Sequence, residues 1–205
     1  MNYEEINQNF NGATANDIIR WALESFETPM ISTKFGPYSA TLLHMVTQIK
    51  PDILVVWVDS GFNTRATYRF AEKVIQDFEL NIFTYTPKYT SERIKARFNG
   101  IPSVGSEHHD VFSEIVKIEP MKRALEDLKP DCWFSGLRAQ QSSYRESIGY
   151  VSTGPSGVSK ISPLLKWSTK DLYEYNRSNN LEEEHDYFDP VKGHGNRECG
   201  IHLLK

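Results

Sequence analysis

Residues Ile53 to Val58, Ile-Leu-Val-Val-Trp-Val, form an almost unbroken β-branched and apolar run. A strand exposed on one side alternates polar and apolar residues; one without a polar face reads as buried on both faces. This run therefore calls for a sheet covered from two sides, and the flanking segments supply the cover. Asn16 is placed to cap a helix with Ile18, Ile19, Ala22, Leu23 and Phe26 as its apolar positions, and Pro29 ends it. A short strand is expected around Met30 to Thr33. Tyr38 to Ile49 and Thr64 to Phe78 have helical periodicity, as has Glu119 to Leu128. Asn81 to Thr86, Asp131 to Ser135 and Val158 to Ile161 read as further strands, and Ser168 to Arg177 as a final capped helix. The alternation of strand and helix predicts α/β architecture, a mostly parallel sheet with helices on both faces. We expect one α/β domain over 1–178 and a polar C-terminal tail over 179–205, and read Gly100 to Asp110 as a loop.

The 205 residues suffice for one substantial core, and 39% hydrophobic residues make this a globular chain. A net charge of −4 argues against a general nucleic-acid binder, which needs a basic stripe, but leaves room for a local anion pocket. No apolar run approaches the ~20 residues of a membrane span. The polar, acidic start does not resemble a secretory signal. Two cysteines cannot build a disulfide framework, and the expected compartment is the reducing cytosol.

Ligands of open parallel sheets bind beyond the carboxyl ends of the strands. After the first strand comes Ser32-Thr33-Lys34-Phe35-Gly36-Pro37-Tyr38-Ser39, small hydroxyls, a glycine and a cation at a helix start. These suit a phosphate, although alone they are an ordinary strand–helix turn without Walker or GxGxxG spacing. After the second strand, Asp59-Ser60-Gly61-Phe62 offers a carboxylate either to a sugar hydroxyl or adenine, or to its own turn. After the strand at Asp131, Gly136 to Arg145 carries Arg138, Gln141 and Arg145, whose guanidinium forks match phosphate and sulfate oxygens. Lys160 ends another strand and is placed to join them. Cys132 lies among apolar residues and reads as a small hydrophobe. Cys199 differs: Arg197 and His202 flank it in a polar segment and favour its thiolate, so it reads as a nucleophile. His194 and His202 lack the further ligands that zinc would need.

Together these segments resemble the phosphoadenosine phosphosulfate (PAPS) reductase family. Glu198-Cys199-Gly200-Ile201-His202 is similar to its ECG-(L/I)-H signature, and Lys117-Ile118-Glu119-Pro120-Met121 with Arg123 to its K-(V/I)-E-P-(L/M)-x-R segment. Trp133 to Arg138 with Gln141, Ser142 and Arg145 resembles W-x-x-G-x-R-x-x-Q-S-x-x-R; Asp59 to Phe62 and Ser32 to Gly36 match the D-T-G-(Y/F) and S-x-x-F-G elements. The resemblance implies an adenine-nucleotide α-hydrolase-like fold, a homodimer, and a substrate site from Ser32, Lys34, Phe35, Gly36, Asp59, Gly61, Gly136, Arg138, Gln141, Arg145, Lys160, Arg197 and His202. It implies that Cys199 takes the sulfonate as S-sulfocysteine, and that thioredoxin or glutaredoxin then releases sulfite. Relatives that reduce adenosine phosphosulfate (APS) carry cysteine pairs for a 4Fe–4S cluster. Phe112-Ser113 stands at the upstream pair here, and two cysteines cannot hold such a cluster in one chain, so PAPS and no bound metal are expected. Ala139 replaces the second arginine of the family's G-x-R-R segment, Lys34 replaces a serine, and the stretch Asp186 to Asn196 is shortened. The rivals are a cluster-free APS reductase, an ATP-pyrophosphatase-like sulfur-modifying enzyme, and a non-enzymatic nucleotide-binding regulator.

Overall fold

The computed structural model describes residues 1–192, the side chain of Tyr144 aside. Two short helices, α1 (Tyr3–Asn9) and α2 (Ala15–Ser25), precede β1 (Pro29–Thr33). Then follow α3 (Ser39–Thr47), β2 (Leu54–Val58), α4 (Arg65–Asp77), β3 (Ile82–Tyr85) and α5 (Ser91–Phe98). Next, α6 (His109–Ser113) runs through a π-helical turn at Glu114–Ile118 into α7 (Glu119–Leu128). The chain continues with β4 (Cys132–Phe134), α8 (Ser143–Glu146), β5 (Val151–Thr153), β6 (Ser159–Ile161) and α9 (Thr169–Ser178).

The strands form one sheet in the order β3-β2-β1-β4-β6-β5. All neighbours are parallel except β5, which pairs antiparallel with β6 at the edge. The period-two alternation of side chains divides the core. Ile31, Val55, Trp57, Cys132, Phe134 and Ile161 face one side, with Ile18, Ile19 and Ala22 of α2, Leu43 and Val46 of α3, Phe70 of α4 and Leu172 of α9. Met30, Val56 and Trp133 face the other, with Ile94 of α5, Phe112 of α6 and Met121 and Ala124 of α7. Covered from both sides, β2 has no use for polar residues, which is why Ile53 to Val58 reads as it does.

Helix α2 differs from expectation at both ends. Thr14, not Asn16, caps α2: its hydroxyl accepts from the Asp17 amide at 3.2 Å, while the Asp17 carboxylate accepts from the Thr14 amide at 2.8 Å. That reciprocal pair satisfies two helix-end groups and outweighs a lone asparagine. The helix stops at Ser25, and Pro29 opens β1 instead of closing α2, as suits a residue without an N–H at a strand's first position. Neither α5 nor β5 was expected. Helix α5 buries only Ile94 and rests half-buried Phe98 on the core beside it, and β5 is three residues long, too short to show a period.

Candidate functional site

β1 and β4 lie side by side, but the strands that follow them in the sheet extend in opposite directions, β2 beside β1 and β6 beside β4. Their carboxyl ends therefore flank a switch point, where the loops diverge and leave a crevice. A pocket opens there. Ser32, Thr33, Lys34, Tyr38 and Ser39 line it from the β1–α3 loop, and Gly136, Leu137, Arg138, Gln141 and Arg145 from the loop after β4. Lys117 and Met121 enter from the π-helical turn and α7, and Asp189 and Lys192 from the segment after α9. Five cations and one carboxylate thus converge in a chain of net charge −4.

The β1–α3 loop is shaped by two residues in the left-handed region, Phe35 at φ 49° and Tyr38 at φ 59°. Such conformations cost ~1–3 kcal/mol each and persist where surrounding contacts impose them. The Phe35 ring is one such contact, fully buried and edge-on to Trp57 at 4.9 Å. It anchors the loop from within and does not line the pocket. Gly36 is held close to the Tyr187 ring: a Cβ there would lie 3.0 Å from Tyr187 Cγ. Tyr38 gives α3 no side-chain cap, so the positive end of that helix dipole borders the pocket. The Ser32 hydroxyl accepts from the Trp133 indole N–H at 2.8 Å and keeps its own proton to donate.

On the opposite wall, Arg138 donates to the Thr169 hydroxyl at 3.1 Å. Burial draws its pKa down; Tyr38 opposes that and the charge of Arg145 adds to it. A second guanidinium charge acting on Arg138 favours an anion between the two. Arg145 is only 5% exposed and donates to Gln141 Oε1, so Gln141 orients it. Lys117 Nζ lies 2.5 Å from Asp189 Oδ2, with both side chains buried. Burial alone would raise the Asp189 pKa, but Lys117, by charge and hydrogen bond, and then Lys34 hold the carboxyl below its ordinary value.

The remaining expected site residues lie outside this lining. Asp59 Oδ1 accepts from the Gly61 amide at 3.0 Å, Asn63 Nδ2 at 2.9 Å and the Tyr68 hydroxyl at 2.9 Å. It organises its own turn, where Gly61 takes φ 78°. Burial, with the Asp59 carboxylate, pushes the Tyr68 phenol up to about 12. Lys160 is buried in β6 with Nζ 5.3 Å over the Trp133 ring, and the sheet register sets it level with Met30, two residues before Ser32. Cys132 is fully buried, and burial raises its thiol far above the usual range, so it is inert as expected. Arg197, Cys199 and His202 lie outside the described residues. Among those described, no cluster of three or more His, Cys, Asp or Glu could hold a metal ion.

Lys117, Asp189 and Lys192 were not among the expected site residues. Lys117 had a signal, since it opens the Lys117-Ile118-Glu119-Pro120 segment, but a helix read from Glu119 left it outside. Asp189 had none, because it meets Lys117 across 72 residues of chain.

A mostly parallel α/β sheet with helices on both faces and a cationic crevice at its switch point defines a doubly wound α/β protein with a site for an anionic ligand. Residues 28–189 match the phosphoadenosine phosphosulfate reductase domain. A phosphoadenosine 5′-phosphosulfate reductase of Synechococcus sp. is 35% identical over 90% of this chain and 80% of its own length. One of Vibrio atlanticus is 35% identical over 93% of this chain and 72% of its own. The crystal structure of PAPS reductase from Candida auris superposes with a TM-score of 0.77, covering 88% of this chain and 87% of that one, at 22% identity. A U34-tRNA thiolase of Methanococcus maripaludis, solved with its 4Fe–4S cluster, shares the fold at TM-score 0.60 and 12% identity, over 84% of this chain and 65% of that one. The chain belongs to the phosphoadenosine phosphosulfate reductase family, and with it to the oxidoreductases.

Proposed function

We propose that this protein reduces 3′-phosphoadenylyl sulfate to sulfite and adenosine 3′,5′-bisphosphate, as a cluster-free enzyme of the reducing cytosol. The observation that carries the reading is the convergence of Lys34, Lys117, Arg138, Arg145 and Lys192 on one crevice. A substrate with several phosphate oxygens and a sulfonate needs that density of cations, and a thiolate can approach a sulfonate only where its oxygens are neutralised. The thiolate of Cys199 attacks the sulfonate sulfur, the bond to the bridging oxygen breaks, and adenosine 3′,5′-bisphosphate leaves with the electron pair. Cys199 then carries –SO₃⁻. A thiolate of thioredoxin or glutaredoxin attacks Cys199 Sγ and displaces sulfite; its second thiol resolves the mixed disulfide, supplying two electrons in all. The segment 179–205 serves as the arm bearing this nucleophile, and the working form is a homodimer. Among the described residues no helix is long and apolar enough to cross a membrane.

The test is mass spectrometry of reduced protein mixed with PAPS and no reductant. One added SO₃ unit on Cys199 is expected, absent from a Cys199→Ser variant. An adduct formed with APS but not with PAPS would reverse the substrate assignment.

A further inference from the structure

The carboxylate of Asp189 sits where an anionic ligand would be expected. It is 6% exposed, lines the crevice beside the cations, and pairs with Lys117 at 2.5 Å. Its second oxygen accepts from the Val191 amide at 3.1 Å. The segment around it has two further tethers. The Tyr187 ring packs on Gly36 with Lys34 Nζ 4.5 Å from its centroid, and Val191 O accepts from His109 Nε2 at 2.9 Å. Two of the three tethers therefore end on Lys34 and Lys117, cations that border the ligand space. A ligand's oxygens and this segment compete for the same ammonium groups.

We propose that Asp189 is a built-in competitor for the ligand's anion: its carboxylate holds Lys117 until sulfonate or phosphate oxygens take over the ammonium. The exchange frees Tyr187 to Asp189 from the crevice wall, while Val191 stays held in the core by His109. This role rests on the proposed reading that the crevice takes PAPS, and it makes Asp189 a positioning residue, not a catalytic one. Breaking a buried ion pair leaves a charge that must find a new partner. On the lysine side that partner is the incoming anion; on the aspartate side it is water, once the segment lifts. The ligand must supply the difference, so affinity is set below what the cations alone would give.

Calorimetry of PAPS binding, in a Cys199→Ser background that prevents transfer, tests this. Adding Asp189→Asn, which keeps the shape and removes the charge, should tighten binding by about fivefold or more, the lower end of ordinary site coupling. Equal or weaker binding would overturn the proposal, because removing a charge that competes with the anion must raise affinity. Failure of the Cys199→Ser protein itself to bind PAPS would instead strike the reading of the crevice. Should Asp189→Asn not fold, hydrogen exchange of the Val191 amide in the Cys199→Ser protein decides the matter. That amide should exchange faster at saturating PAPS; unchanged or slower exchange refutes the competition.

Discussion

At the scale of single residues, the crevice depends on close approaches as much as on charges. Gly36→Ala puts a methyl group 3.0 Å from Tyr187 Cγ and 3.2 Å from the Lys34 side chain. The Tyr187 ring must shift, at a cost of ~1–3 kcal/mol for overpacking. A lowered urea midpoint with unchanged m-value is expected in equilibrium unfolding. Cys132 gives a second prediction. In a Cys199→Ser variant, iodoacetamide should label no thiol of the folded protein and one in denaturant, because β4 is covered on both faces. Labelling of the native form would show that the strand opens. Asp189 gives a third. Its folded-state pKa is depressed below the ordinary 3.8, so its contribution to stability is present above that value and is lost as pH falls through the lower, folded-state value. Asp189→Asn should flatten the acid limb of stability against pH, measured by thermal unfolding from pH 5 downward.

At the scale of elements, the helix caps were readable where their chemistry is local. Thr14-Ala15-Asn16-Asp17 and Ser168-Thr169-Lys170-Asp171 carry the same reciprocal cap, in which hydroxyl and carboxylate exchange hydrogen bonds with the first turn. Only the second was placed correctly in advance, since Asn16 offered a competing cap two residues late. Thr14→Ala should cost ~1 kcal/mol of stability in urea unfolding, and Asn16→Ala much less. The β-branched run of β2, the helices α3, α4 and α7, and the arginines after β4 were legible because period and residue type suffice to place them. The π-helical turn at Glu114–Ile118 was not: one extra residue in a helix leaves no compositional trace, yet it places Lys117 at the crevice. Lys192 and Asp189 were invisible for a related reason, since only the completed sheet brings their segment against the α6–α7 region.

At the scale of the molecule, the surface charge and the crevice have opposite signs. An acidic chain around a cationic site should show ligand affinity that falls with salt. PAPS binding to a Cys199→Ser protein should weaken steadily towards about 1 M salt, where the Debye length shrinks to ~3 Å. Calorimetry over a salt series checks this; flat affinity would mean the cations are not felt by the ligand. The edge of the sheet at β5 has a different logic. There the side-chain amide of Asn7, on α1, donates to Val151 O at 2.8 Å and accepts from Val151 N at 2.9 Å, and Gly149 leaves the room it needs. One amide thus imitates the backbone of a neighbouring strand. Replacing Asn7 with leucine would leave the Val151 peptide groups seeking partners on a foreign backbone. Clumping under heat stress, seen by light scattering, would follow, and the small amino-terminal helix would prove to be a guard against unwanted pairing.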